Sequence, residues 1–236
     1  HREKALYRAT WCRQAADDAE GVAARFEDFA KAYPKSPLFT ELALLAARAH
    51  QKSGENARAA ALLQEIADNN PTSPEAEPAL VSLGEILLAD RKFDKAAERF
   101  KAFLERYPDS SLAYRAHFGQ GWALENQGNL AGATERYRQV TRETKTATAA
   151  RAQFQIGQCL VAKKDWKNAI VELLQVPASY SYPEWSSKAL LQAAGCFEAL
   201  EDGDNAKRYY REVAETFPDR DEAKLARDRL QKIEIQ

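Results

Sequence analysis

The feature that most limits how this 236-residue chain can fold is an interval. With the prolines of its turns set in register, similar segments start at residues 3, 40, 77, 114, 150 and 187, in steps of 37, 37, 37, 36 and 37. A repeat of that length is one supersecondary unit that cannot bury its apolar face alone and must stack on its neighbours. Glu77 to Ser110 shows the pattern best. Leu80, Leu83, Gly84 and Leu87 take positions four, seven, eight and eleven, one face of a helix whose first turn accommodates Pro78. The polar run Asp90, Arg91, Lys92 interrupts it. Ala96, Phe100 and Phe103, at positions twenty, twenty-four and twenty-seven, then line a second helix that Pro108 ends. Helices of about fourteen residues are marginal in isolation, so each needs its partner and a neighbouring pair. Gly84 and Ala96 are expected to let the two backbones approach where they cross.

The other units vary this theme. In the first, Thr10 and Val22 replace the small pair, and Asp17, Asp18 and Gly21 make the inner turn irregular. The fourth has Lys145 where the closing proline belongs. In the fifth, Pro177 is expected to cut the second helix short, since proline costs about 3 kcal/mol in a helix interior. That leaves PASYSYPEW as an aromatic loop, with Tyr180, Tyr182 and Trp185 plugging the gap or touching a partner. Asp221 to Ile235 reads as a solvated capping helix in which Leu225, Ala226 and Leu230 cover the last pair.

These positions resemble the signature of the tetratricopeptide repeat: large, large, small, large, then Ala, aromatic, small or apolar, Pro. The resemblance covers almost the whole chain. It implies an all-α fold, a right-handed superhelical solenoid of helix-turn-helix repeats at about 3–36, 40–73, 77–110, 114–147, 150–183 and 187–220. A capping helix over 221–235 completes that single array. Methionine is absent even at position 1, and the first unit has no cap residue. A fragment of a longer protein is therefore expected, with more repeats or another domain before residue 1. The closing motifs AKAYPKSP and LERYPDSS are similar to those of bacterial cell-envelope members, the lipoprotein of the outer-membrane β-barrel assembly machinery and the periplasmic coordinator of the Tol–Pal system. They imply a periplasmic or envelope location. Cytoplasmic bacterial proteins carry the same turn, which leaves the cytoplasm as the alternative.

Composition narrows the function classes. A net charge of −1 argues against a nucleic-acid binder that works by phosphate neutralisation. No apolar run approaches the ~18 residues of a membrane span, so no direct insertion is expected in this segment. No HExxH, CxxC, glycine-rich phosphate loop or GxSxG motif occurs, which points to a non-enzymatic protein with no cofactor and no metal. His50 and His117 fall at core-facing positions and read as packed side chains. Cys12, Cys159 and Cys196 share position ten, a small apolar core slot. Equivalent helices lie about 8–10 Å apart, whereas a disulfide needs Cα atoms within about 7 Å, so free thiols are expected.

The resemblance places function on a concave groove formed by the first helices, at positions two, five, six, nine, twelve and thirteen. Position five is Tyr7, Leu44, Val81, Phe118, Phe154 and Leu191, an apolar stripe expected to be open to water unless a ligand fills it. Position nine adds Trp11 and Trp122, and position two adds Lys4, Arg115, Arg151 and Lys188. Aromatic and arginine anchors dominate interfaces. The candidate protein- or peptide-binding groove is therefore Arg115, Phe118, Trp122, Arg151, Phe154, Leu191, Tyr7 and Trp11. If the array winds tightly, the same side chains pack against neighbouring first helices and merely line the groove. Members that clasp chaperone tails use Lys at position five and Asn at nine, a pattern missing here. Two functions remain: a scaffold for a peptide or partner helix of acidic and apolar character, and an architectural spacer, with oligomerisation left open.

Overall fold

The computed structural model describes residues 1–235. Those residues form thirteen helices and no strand. In chain order they are α1 (Arg2–Ala15), α2 (Ala19–Ala32), α3 (Phe39–Lys52), α4 (Asn56–Asn69), α5 (Ala76–Ala89), α6 (Phe93–Arg106) and α7 (Ala113–Asn126). There follow α8 (Leu130–Glu143), α9 (Ala147–Ala162), α10 (Trp166–Ser179), α11 (Pro183–Ala199), α12 (Gly203–Thr216) and α13 (Asp221–Ile235). The chain divides into two compact units, His1–Gly119 and Gln120 onward. In the first unit α1 to α6 pack consecutively, and α1 also touches α3. In the second, α8 to α13 do the same, with α9 against α11 and α11 against α13.

The turn inside each helix pair explains why the repeat is so regular. Asp17, Gly54, Arg91, Gly128, Lys164 and Glu201 all have left-handed backbones, with φ of 58°, 75°, 59°, 78°, 59° and 60°. They occupy position fifteen of every unit. The residue after each one stands at the N-cap position of the second helix, and in four of the six units its side chain caps that helix. Asp18, Asn129, Asp165 and Asp202 accept from the backbone N–H groups of Gly21, Gly132, Asn168 and Asn205, satisfying donors that a helix start leaves unpaired. The irregular turn expected at Asp17-Asp18 is thus the standard one. The closing turns are tied back as well: Ser36 donates to Glu3 and Ser110 to Glu77, each at 2.5 Å.

Glycine at position eight makes room for the side chain at position twenty-four. A Cβ on Gly84 would lie 2.6 Å from the Phe100 ring, on Gly121 2.8 Å from Tyr137, and on Gly157 2.5 Å from Leu173. The space beside Gly84 is filled by Phe100 rather than left to Ala96, because position twenty-four reaches across the crossing point. The two tyrosines among these residues have hydroxyls to satisfy in the core. Tyr137 donates to Glu125 at 2.6 Å and Tyr210 to Glu198, both glutamates standing at position twelve.

Four sequence expectations are corrected. Helix α10 runs through Pro177 to Ser179, because the proline lies in the last turn and deprives the helix of only one hydrogen bond. The aromatic loop shrinks to Tyr180–Tyr182, and Trp185 belongs to α11, which Pro183 opens at its first position. Leu225 is 54% exposed, since α13 turns Ala223 and Ala226 inward instead. Cys12 is exposed: α1 packs on α2 and α3 through Thr10, its one buried side chain. Cys159 and Cys196 do occupy the core slot as free thiols, and burial pushes both up to about 11. His50 is buried with Nδ1 2.5 Å from a Glu55 carboxylate oxygen.

Candidate functional site

Position five is not an open stripe. Leu44, Val81, Phe118 and Phe154 are buried and only Tyr7 and Leu191 are half-exposed. Phe154 belongs to the core with Leu173, Val176 and Ala193.

In the first unit, Arg115 is engaged by a bidentate ion pair with Glu85, Nη2 lying 2.8 Å from both carboxylate oxygens. Tyr7 donates to Glu41 at 2.9 Å, and its ring meets Trp11 edge-on, centroids 6.5 Å apart. Trp11 is 40% exposed.

The second unit brings together Trp122, Arg151 and Phe154 with Lys188, read above at position two, and Trp185, read above as a loop aromatic. The Arg151 guanidinium carbon lies 4.9 Å from the Trp122 ring centroid and 5.7 Å from that of Trp185. The Lys188 ammonium sits over the far part of the column, 4.7 Å from the Trp185 ring. All three distances fall within the ≈ 6 Å reach of a cation–π interaction. Phe154 backs Trp185 from the core, ring centroids 5.9 Å apart. Trp122, Arg151, Trp185 and Lys188 are each partly exposed, so the column is a surface feature standing on a buried base.

Local structure fixes each member. Gly121 presses α7 onto Tyr137 of α8 and so sets which way its neighbour Trp122 faces. Arg151 projects from the first half of α9. Helix α11 has 17 residues where most have 14, and its added first turn carries Trp185. That turn is held by the fully buried Ser187, whose hydroxyl lies 3.1 Å from both the Glu184 carbonyl and a Glu222 carboxylate oxygen on α13. Glu184 pairs with Lys188 at 2.9 Å. The hydrogen bond from that ammonium, and then its charge, hold the Glu184 carboxyl below the usual carboxylate range, with Arg220 and Arg151 adding to the field.

A second set of polar contacts links the same helices. Gln155 of α9 donates to Glu125 of α7 at 3.0 Å, and Gln158 of α9 reaches Gln192 of α11 at 3.5 Å. Leu191 borders a cleft of about 470 Å³ with Gly195, Tyr210, Leu225 and Arg229. No cluster of three or more metal-ligating side chains occurs among the described residues, and none of their helices is long and apolar enough to cross a membrane.

The sequence could have placed Trp185 on one helix with Lys188 from one signal. Pro183-Glu184 is a helix start, proline at its first position and an acid at its second, and it puts Trp185 three residues before Lys188 on one face.

A family model described as tetratricopeptide repeat matches residues 44–98, 81–147 and 127–180, and a second model of the same description matches residues 4–36 and 188–220. No curated protein matches the chain in sequence. Among solved structures, PilW, titled a widely conserved type IV pilus biogenesis factor, is similar with a TM-score of 0.71 at 15% identity, over 95% of this chain and 98% of that one. Pseudomonas aeruginosa pilF is similar with a TM-score of 0.68 at 14% identity, over 96% and 97%. YrrB, titled a TPR protein with an unusual peptide-binding site, gives 0.62 at 16% identity, over 85% and 97%. At these identities the likeness is one of fold.

Proposed function

Because this chain belongs to the tetratricopeptide repeat family, we propose that it is a non-enzymatic scaffold that holds a segment of a partner protein along its first helices. The observation that carries this reading is the Trp122–Arg151–Trp185–Lys188 column. Large, rigid side chains already held in place bind at little entropic cost, and tryptophan and arginine are the residues on which interface energy concentrates. The amides of Gln155, Gln158 and Gln192 beside them suit the backbone of an extended chain. The envelope is the location we favour. The closing-turn motifs support it, as does the fold shared with a type IV pilus biogenesis factor.

Covalent capture in the native cell tests the proposal. A photo-crosslinking amino acid placed at Gln158 should trap a partner with the wild-type column, and Trp122→Ala with Trp185→Ala should remove that adduct while the thermal melt confirms a folded chain. An unchanged adduct in the double variant overturns it. The exposed Trp11 favours a second reading, a spacer that associates through α1. Sedimentation of Trp11→Ser against wild type decides that point: equal mass at all concentrations rejects it.

A further inference from the structure

We infer that the exposed side of α1 is a docking surface for an acidic segment of a partner protein, with Lys4, Arg8 and Arg48 as its cations and Trp11 as its apolar anchor. That the partner is a protein rests on the scaffold reading, whereas the contact itself is separate from the column of the second unit.

Charge sets this surface apart. On a chain whose net charge is −1, α1 carries Arg2, Lys4, Arg8 and Arg13 against Glu3. Arg13 is held by Asp18 at 2.9 Å, and Lys52 at the end of α3 by Asp17 at 2.5 Å. On α2, Arg25 pairs with Asp28, Lys31 lies in the last turn, and Glu20 and Glu27 line a different cleft with His50, Glu55 and Arg58. Glu3 and Glu41 accept from the neutral hydroxyls of Ser36 and Tyr7, so both keep their charge. Arg2, Lys4, Arg8 and Arg48 therefore stand against Glu3 and Glu41, a surplus of two cations. Lys4, Arg8 and Arg48 are exposed, and none of the three has an ion-pair or hydrogen-bond partner among the described residues. Such a surface complements an acidic ligand.

The fold gains nothing from these charges. Lys4 and Arg8 are one turn apart, and like charges at i and i+4 repel along a helix. The position of Arg8 is uncharged in every other repeat, where it is Leu45, Ser82, Gly119, Gln155 and Gln192. A local rule broken with no compensation inside the chain marks a functional position.

Trp11 supplies the apolar part. Thr10 is the one buried side chain of α1, and Trp11 is left 40% exposed. Its ring meets that of Tyr7 edge-on, and Tyr7 is tied in turn to Glu41 of α3, so the indole is held in place before a ligand arrives. Lys4, Arg8 and Trp11 fall at i, i+4 and i+7, one line on the helix with steps of about 6 and 4.5 Å along its axis. An extended chain presents side chains to one side about every 6.6 Å, so a segment with two acids and then an apolar residue, at alternate positions, matches the line. Arg48 occupies the Trp11 position of the next repeat and adds its charge on the same side. A polyanion without apolar groups would leave the indole unused.

Selection from a phage library of random twelve-residue peptides, against the whole chain, tests this without knowing the partner. Wild type should enrich Asp or Glu about fivefold or more at fixed positions beside an apolar residue. For the best peptide Arg8→Gln should raise Kd about tenfold, and Trp11→Ala by a similar factor. Arg8→Lys should recover part of the affinity. Lys95→Gln, which removes an exposed cation on α6, should leave Kd unchanged, and the Arg8 variants should melt as wild type does. Raising salt from about 50 to 500 mM should weaken wild type several-fold. Acidic peptides that bind Arg8→Gln as well as wild type, or that lose binding only in Trp122→Ala, place the contact elsewhere and overturn the assignment; the Gln158 crosslink is then the separate measure of the scaffold reading. Peptides that need Trp11 but show no acidic preference overturn it too, as does a selection that yields no peptide. Displacement of a selected peptide by a short single-stranded oligonucleotide at equal concentration would show a general polyanion surface and reject the peptide assignment. A wild-type dimer in sedimentation that Arg8→Gln dissolves would make a second copy the occupant and reject it as well.

Discussion

Gly84→Ala isolates the packing logic of the repeat, because two opposite effects meet at one methyl group. In an exposed helix the change would stabilise by about 1 kcal/mol, since glycine is the poorer helix former by that amount. Here the new Cβ would lie 2.6 Å from two atoms of the Phe100 ring, about an ångström inside ordinary carbon–carbon contact. The ring cannot retreat. It is fully buried, and a Cβ built on Gly119 strikes the same ring from the α7 side, so Phe100 fills a slot between two glycines. Overpacking a closed site costs about 1–3 kcal/mol, and the rigid slot argues for the upper part of that range. The net expectation is a loss of about 1–2 kcal/mol. In a Phe100→Leu background the slot is partly vacant, and the same Gly84→Ala change should become neutral or stabilising by up to about 1 kcal/mol. That reversal is a coupling of about 2 kcal/mol, well above the scatter of additive mutations. Urea denaturation of the four proteins measures it, with amide exchange over α5 and α6 to locate the loss. A Gly84→Ala protein more stable than wild type, or equal shifts in both backgrounds, would refute the reasoning.

Other positions of the repeat give further expectations. At position fifteen, Arg91→Gly and Lys164→Gly should each stabilise by about 0.5–1 kcal/mol, the left-handed strain relieved less the entropy glycine adds; a lower urea midpoint for either would contradict it. Removing the α12 cap with Asp202→Ala should cost about 1 kcal/mol, while Lys92→Asn, which adds the missing cap to α6, should gain a comparable amount in the same assay. Cys159 and Cys196 are raised from 9.0 to about 11 in the folded chain, so unfolded thiols ionise first as pH climbs. Their contribution is complete below about pH 9 and is lost progressively toward pH 11, so the melting temperature should fall there and fall less in Cys159→Ala with Cys196→Ala.

What could be read from the residues, and what could not, follows from how far each signal reaches along the chain. The helices, their small positions and the all-α class depend on neighbours within one turn or one repeat, and a six-fold recurrence reports those directly. Exposure of position five depends on the separation of first helices 37 residues apart, which no residue type encodes. Phe154 therefore looked like a groove residue and is a core one, and a Phe154→Ala test of binding would instead cost about 3–5 kcal/mol of stability. Pro177 misled for a different reason. Proline is costly only where its N–H would have been bonded within the helix; Pro177 lies in the last turn of α10, where the loss is one hydrogen bond, and Pro183 opens α11, where the loss is none. Reading Pro177 as a breaker and PASYSYPEW as a loop removed the turn that carries Trp185. The column thus exists because α11 starts one turn early. That geometric fact joins position two of two successive repeats, Arg151 and Lys188, through the Trp185 ring into one line of cation–π contacts.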